Sequence, residues 1–207
     1  MYLEQYPTLS LPFPDKVIRQ DPSALGASRA TQLLYDAAIN EFENLPLRVL
    51  ELGCGSGTLS IMCALARPLW QITAIDIQPH LIALAQANAL DCNVDITFQV
   101  QDLKEHQGEY DLIIANPPWQ KLGSGLMSPS ESRNLSRFEL TCSLADLTQR
   151  LQTCLVPSGS ALIIYPQSRS QDLSSSLDNT LLDIKKQYKH SGKNSYVISL
   201  IRHGRDL

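Results

Sequence analysis

The run Val49-Leu50-Glu51-Leu52-Gly53-Cys54-Gly55-Ser56-Gly57-Thr58-Leu59-Ser60 constrains this chain more than any other stretch. Aliphatic residues flank an acid, glycines follow at positions 53, 55 and 57, and a helix-compatible run continues from Leu59 to Ala66. That order reads as a strand, a tight turn and a helix. Glycines at this spacing let the backbone bend from strand straight into helix, and they leave no side chain where a ligand would approach. The turn has neither the G-x-G-x-x-G spacing of dinucleotide sites nor the Gly-Lys-Ser/Thr ending of a phosphate loop, so phosphate is not the expected ligand. Glu51 points the same way, because a carboxylate there repels phosphate but accepts hydrogen bonds from an amine or a hydroxyl.

A chain of 207 residues with 43% hydrophobic content fits one α/β domain with a filled core. Residues 1–22 are rich in proline and lack a clean period, so they read as an N-terminal extended arm that lies over the domain or becomes ordered with substrate, its Tyr2, Tyr6 and Phe13 packing on the domain surface in preference to lining a substrate cleft, ahead of a domain spanning 23–207. Neither a secretory leader nor an apolar run of membrane-spanning length is visible, and the expectation is a soluble cytoplasmic protein. The five cysteines form no C-x-x-C pair and no zinc spacing, so they read as reduced thiols, with Cys54 a small side chain that fits the turn. A net charge of −4 supplies no overall attraction for nucleic acid. Lys185, Lys186, Lys189, Lys193, Arg202 and Arg205 nevertheless crowd the C-terminal end, either as a contact for phosphates or as a solvated edge that discourages strand pairing.

Along the chain, Ser23 to Asn44 has helical spacing, with Ser28 as a cap. Gln71 to Ile77 reads as a second buried strand ending in Asp76, followed by a helix from Pro79 to about Leu90. Asp76 stands about 20 residues beyond the glycine turn, well placed for a carboxylate to accept from a ribose diol, with a cap for the following helix as the lesser alternative. Val94 to Val100 reads as a third strand closed by Gln101-Asp102-Leu103. The fourth, Tyr110 to Ala115, runs directly into Asn116-Pro117-Pro118-Trp119, where two prolines demand a rigid loop instead of a continuing strand. Ligands of open α/β sheets bind beyond the carboxyl ends of the strands, so this loop and the glycine turn are expected to share one cleft. A helical pattern over Arg133 to Cys154, a strand over Leu155 to Pro166, a helix over Ser168 to Leu182 and strands over Ile184 to Lys189 and Tyr196 to Arg202 complete the chain. His80, His106, His190 and His203 belong to no acid/base constellation and read as surface positions, and no metal cluster is visible.

At the glycine turn the sequence resembles the class I S-adenosylmethionine (SAM) methyltransferases, whose first motif reads acid-Leu-Gly-Cys-Gly-Ser-Gly-x-Leu. The resemblance implies a Rossmann-like α/β fold with a seven-stranded, mostly parallel sheet, an antiparallel last strand inserted beside the fifth, and helices on both faces. It also implies SAM as cofactor, held by Glu51, Gly53, Cys54, Gly55, Gly57, Asp76, Ile77, Asp102, Leu103 and Asn116. In that scheme Asp76 takes the ribose, Ile77 packs on the adenine ring and Asp102 accepts from its exocyclic amine.

Asn116-Pro117-Pro118-Trp119 resembles the Asn-Pro-Pro-aromatic signature of members that methylate a planar NH2 group, N6 of adenine or N5 of glutamine. The lone pair of such an amine is delocalised and poorly nucleophilic. Acceptors at its N–H bonds encourage the lone pair to turn out of plane, and they stabilise the positive charge that develops on nitrogen. The side-chain oxygen of Asn116 and the carbonyl of Pro117 are those acceptors, the latter aimed rigidly by its ring. Trp119 offers a stacking face worth about 1–3 kcal/mol to a base.

The run from Arg137 to Leu147 is similar to the corresponding segment of bacterial tRNA adenine N6-methyltransferases, although Phe138 stands where a His often occurs. The resemblance therefore ranks adenine in RNA, in particular tRNA, first. Protein glutamine follows, an alternative in which a small partner subunit often takes part, and DNA adenine comes third because no recognition domain is visible. A SAM-fold subunit without catalytic activity is a further class, one that would be expected to have lost the glycines or Asn116.

Overall fold

The computed structural model describes residues 5–24, 26–118, 129, 130, 132, 134, 135, 142–191 and 195–203. Among these, the main sheet contains the strands β3 (Arg48–Leu52), β4 (Gln71–Asp76), β5 (Thr97–Val100), β6 (Tyr110–Ala115), β7 (Leu155–Pro166), β8 (Leu182–His190) and β9 (Tyr196–His203). Their order across the seven-stranded sheet is β5-β4-β3-β6-β7-β9-β8. The pairs from β5 through β7 are parallel, and β9 runs antiparallel to both of its neighbours. The expected Rossmann-like fold, with its last strand inserted beside the fifth of the sheet, is the one observed.

Why these strands lie at the centre follows from their composition. The segments Val49 to Leu52 and Leu112 to Ala115 are buried without interruption, as parallel strands covered on both faces must be. Alternate residues serve opposite layers. Leu112 and Ile114 face Leu34, Ala38, Leu59 and Cys63 of the helices α1 (Arg29–Glu41) and α2 (Thr58–Ala66). Ile113 and Ala115 face Leu147, Leu151, Leu173 and Leu177 of α4 (Leu144–Cys154) and α5 (Ser170–Leu177) on the other side. The helix α3 (Pro79–Cys92) takes proline in its first turn, where a missing N–H costs no hydrogen bond, and stops at Asn93 in the left-handed region. Ser28 caps α1 through a capping box with Thr31, as its sequence suggested.

The described part of the N-terminal segment lies over the domain, as one reading of the arm has it, but it is folded back on itself instead of extended. Residues Thr8–Ser10 (β1) and Val17–Arg19 (β2) form an antiparallel hairpin, with Leu9 opposite Ile18. Ile18 is fully buried, and with Leu11 it packs against Ile61, Met62, Ala89 and Cys92 of α2 and α3. Phe13 meets Tyr35 edge to face, with ring centroids 6.3 Å apart. Three-residue strands are too short to leave a period in the sequence.

Three expected elements have other bounds than read. The third strand is confined to Thr97–Val100, the part that pairs with β4, while Val94 and Ile96 still pack into the core. Of the helix expected over Arg133 to Cys154, Leu144–Cys154 is a helix of its own, started by the capping box of Ser143 and Asp146; Asn134 and Leu135 are helical too, and residues 136–141 lie outside the described residues. The last helix ends at Leu177, and Leu182 is the buried first residue of β8. Phe138, Leu140, Glu139, Arg133 and Arg137 lie outside the described residues.

Candidate active site

The carboxyl ends of β3, β4 and β6 open into one cavity, lined by Glu51, Gly53, Cys54, Gly55, Asp76, Ile77, Asp102, Leu103, Asn116, Pro117 and Pro118. The glycine turn and the Asn-Pro-Pro loop thus share a cleft, because β3 and β6 are adjacent and parallel, with Leu52 level with Ala115. Trp119 lies outside the described residues.

The glycines do different work. Gly53 and Gly55 have positive φ of 76° and 54°, and nothing lies within 4 Å of where a Cβ would stand. Their bare backbone faces the cavity. Gly57, also expected to hold a ligand, is not among the lining residues: a Cβ there would come within 3.0 Å of Ala85 and 3.1 Å of the Phe98 ring. Its φ of 80° starts α2, and its lack of a side chain lets the turn pack on α3 and β5.

Two carboxyl groups form the floor. Glu51 is buried and accepts from the Ser60 hydroxyl. Burial pushes its pKa up to about 8, partly offset by that hydrogen bond. Asp76, 8% exposed, accepts from Gly55 N through Oδ2 and from Gln78 N through Oδ1, both at 2.9 Å. Burial raises its pKa as well, against the backbone N–H groups of Gln78 and Gly55. Asp76 therefore organises the turn and the start of α3 while keeping lone pairs for a ligand. Cys54 is buried and its thiol is pushed well up by burial, so it is an inert wall.

At the next strand end, Asp102 accepts from Lys104 N at 2.9 Å and pairs with Lys104 Nζ at 3.3 Å. Ile77 is 38% exposed, an apolar surface beside the acids. A floor of acceptors, one apolar plate and exposed glycine backbone suits a ligand bearing a cation, hydroxyls and a planar ring, and disfavours phosphate.

Several lining residues escaped the sequence reading. Gly26, Ala27 and Thr31 form the wall contributed by the start of α1, and Gln78, Gln101, Leu135 and Cys142 complete the rim. Gln101 carried a signal in standing next to Asp102 at a strand end. His106, read as a surface residue, is buried at 3% exposure. Its ring lies 2.7 Å from Gln101 Oε1 through Nδ1 and 2.8 Å from the Tyr110 hydroxyl through Nε2, and Arg150 donates to its carbonyl. Burial, then the Arg150 charge, lowers its pKa. Both partners of the ring are local, whereas Arg150 of α4, which meets the carbonyl, is a neighbour that the sequence around His106 does not reveal.

The basic residues of the C-terminal end divide. Lys186 pairs with Glu41 at 2.5 Å and lies over the Tyr188 ring, and Lys185 pairs with Asp183 at 3.5 Å. Arg202 donates to Ser160 Oγ at the end of the sheet away from the cleft. Lys189 is exposed one row from His190 and Tyr196, at the cleft end. Lys193 and Arg205 lie outside the described residues.

The fold is that of the class I SAM-dependent methyltransferases. The chain belongs to the methyltransferase small domain family, whose model matches residues 23–126. It is 31% identical over 139 residues to a tRNA1(Val) (adenine(37)-N6)-methyltransferase of Porphyromonas gingivalis, covering 63% of this chain and 54% of that protein. It is 33% identical over 103 residues to a release factor glutamine methyltransferase of Streptococcus pneumoniae, covering 49% and 37% respectively. The chain thus spans about half the length of the tRNA relative and less of the release factor one. In fold it matches the ribosomal protein L11 methylase of Lactobacillus delbrueckii subsp. bulgaricus with a TM-score of 0.67 at 23% identity, covering 91% of this chain and 86% of that one. No described helix is long and apolar enough to cross a membrane.

Proposed function

We propose that this protein transfers a methyl group from SAM to the exocyclic N6 amine of an adenine in RNA, in particular tRNA. The observation that carries the reading is the convergence of Asn116 and Pro117 with the exposed backbone of Gly53 and Gly55 in one cavity. Bound there, SAM supplies an electrophilic methyl on a sulfonium. Glu51, Gly53, Gly55, Asp76, Ile77, Asp102 and Leu103 are the residues that would hold it: bare glycine backbone admits it closely, the Asp76 carboxylate accepts from its ribose hydroxyls, and Ile77 packs on its base. The role left to the Asn-Pro-Pro loop is to bind the acceptor. The Asn116 oxygen and the Pro117 carbonyl take the amine's two N–H groups, orient its lone pair and stabilise the cation that forms on nitrogen. Trp119 provides the stacking face. The methylated cation loses its proton readily to water, and no protein base is needed.

RNA is favoured over protein because the similarity to the tRNA adenine enzyme extends over more of the chain, 63% against 49%. Lys189 at the cleft end of the edge strand fits a phosphate contact. Glutamine in a protein, with or without a small partner subunit, is the second reading, supported by 43% identity over 72 residues to a putative N5-glutamine methyltransferase of Methanocaldococcus jannaschii. The test is transfer of labelled methyl from SAM into total RNA and total protein from a cell extract. Label that is lost to ribonuclease and recovered as N6-methyladenosine supports the first reading. Label that survives nuclease and is lost to protease establishes the second.

A further inference from the structure

The side chain of Gln20, directly after β2, joins two separate parts of the cofactor cavity. Its Nε2 donates to Ser56 Oγ and to Thr58 Oγ1, each at 3.1 Å, and its Oε1 accepts from Ala27 N at 2.6 Å. Ser56 and Thr58 belong to the glycine turn and the first turn of α2, while Ala27 belongs to the wall before α1, and all three residues line the cavity. Gly26 lies so close beneath the carboxamide that a Cβ there would be 2.7 Å from Gln20 Oε1.

Asn88, fully buried on α3, holds the hairpin in register with this contact. Its Oδ1 accepts from Arg19 N at 2.8 Å, and its Nδ2 donates to Arg19 O at 2.9 Å and to Ser56 O at 3.0 Å. Both N–H groups of this buried carboxamide are thereby used, one on the hairpin and one on the glycine turn. Ile18, buried beneath the hairpin, fixes its height over α2 and α3. The hairpin therefore reaches the cavity through a rigid connection instead of a loose strap.

We propose that Gln20 is a positioning residue of the SAM cradle, and that the N-terminal hairpin belongs to the cofactor site. Gln20 sets the distance between the glycine turn and the wall at Gly26 and Ala27, two surfaces that a ligand must touch at once. Without its hydrogen bonds the wall and the turn move independently, and binding has to order them. This rests on the reading of the cavity as the SAM site.

The test is calorimetric titration of the purified chain with S-adenosylhomocysteine, together with the melting temperature of the ligand-free protein. Gln20→Met keeps the length and packing of the side chain but removes its hydrogen bonds, and about tenfold weaker binding is expected, with the ligand-free melting temperature changed by less than about 3 °C. Gln20→Glu keeps an acceptor for Ala27 N, and the Ser56 and Thr58 hydroxyls can turn to donate to it, so binding within about threefold of wild type is expected. Wild-type affinity in Gln20→Met overturns the proposal, as does equal weakening in both variants. Absence of binding by the wild-type chain instead overturns the reading of the cavity itself.

Discussion

Gly55 donates its backbone N–H to Asp76 Oδ2 at 2.9 Å, so the turn after β3 is fastened to the acid at the end of β4. One carboxylate thus shapes the cradle and faces what lies in it. Asp76→Ala removes both functions, and we expect S-adenosylhomocysteine affinity to fall by at least about tenfold, since charge-assisted hydrogen bonds are among the stronger ones. Asp76→Asn keeps one acceptor oxygen and is expected to bind better than the alanine variant. Equal affinity in wild type and Asp76→Ala, read by calorimetry, would remove Asp76 from the site.

Glu51 predicts a pH dependence of stability. Its folded pKa is raised to about 8 from an ordinary value of 4.5, so the folded state holds a proton that the unfolded state releases. The contribution of Glu51 to stability is therefore fully present below about pH 4.5 and lost progressively as pH rises to about 8. Each pH unit crossed in that window removes at most about 1.4 kcal/mol. Glu51→Gln carries no such proton. Its melting temperature relative to wild type should rise steadily between about pH 5 and about pH 8, and a gap that stays constant across that range would show that the carboxyl titrates normally.

Asn116 is expected to act on turnover more than on cofactor binding. Removing one preorganised acceptor or donor from a transition-state site costs roughly 10²–10³ in rate in comparable cases. Asn116→Ala should accordingly lower kcat for methyl transfer by about a hundredfold while leaving S-adenosylhomocysteine affinity within about threefold. If affinity falls as steeply as kcat, Asn116 is holding the cofactor and not the amine.

Lys189 and Lys186 lie three residues apart on one strand but in different circumstances. Lys186 is engaged by Glu41 and Tyr188, whereas Lys189 is exposed at the cleft end. Lys189→Glu should weaken RNA binding and reduce the slope of log affinity against log salt by about one or more. Lys186→Glu should chiefly lower the melting temperature, by placing a second acid against Glu41. Filter binding across a salt series separates the two, and unchanged binding in Lys189→Glu would return this edge to a plain solvated surface.

Much of the fold was legible because its signals are local. A strand that ends in glycines at alternate positions, or in Asn-Pro-Pro, announces its own turn within a few residues, and Ser28 announced the start of α1. Misreadings occurred where the deciding partner is distant in sequence. His106 stands among Lys104, Glu105 and Gln107, a polar context that looks solvated, yet Arg150 and Cys154, 44 and 48 positions further on, both reach its carbonyl. Gly57 looked like its neighbours Gly53 and Gly55, and only the approach of Ala85 and Phe98 shows that its missing side chain serves packing.

The sequence by itself determined the strand ends, the cradle glycines, the floor acids Glu51 and Asp76, and the Asn-Pro-Pro loop, because each depends on backbone preferences and side-chain chemistry carried by adjacent residues. The tertiary structure alone decided that a proline-rich N-terminus becomes a hairpin seated beside that cradle. Gln20 reaches Ser56 across 36 positions, and Arg19 reaches Asn88 across 69. A carboxamide is equally at home in water and in a closed network, so nothing in its neighbours marks which it will be. Burial of Ile18 against α2 and α3 seats the hairpin there, and so brings these donors and acceptors within reach of one another.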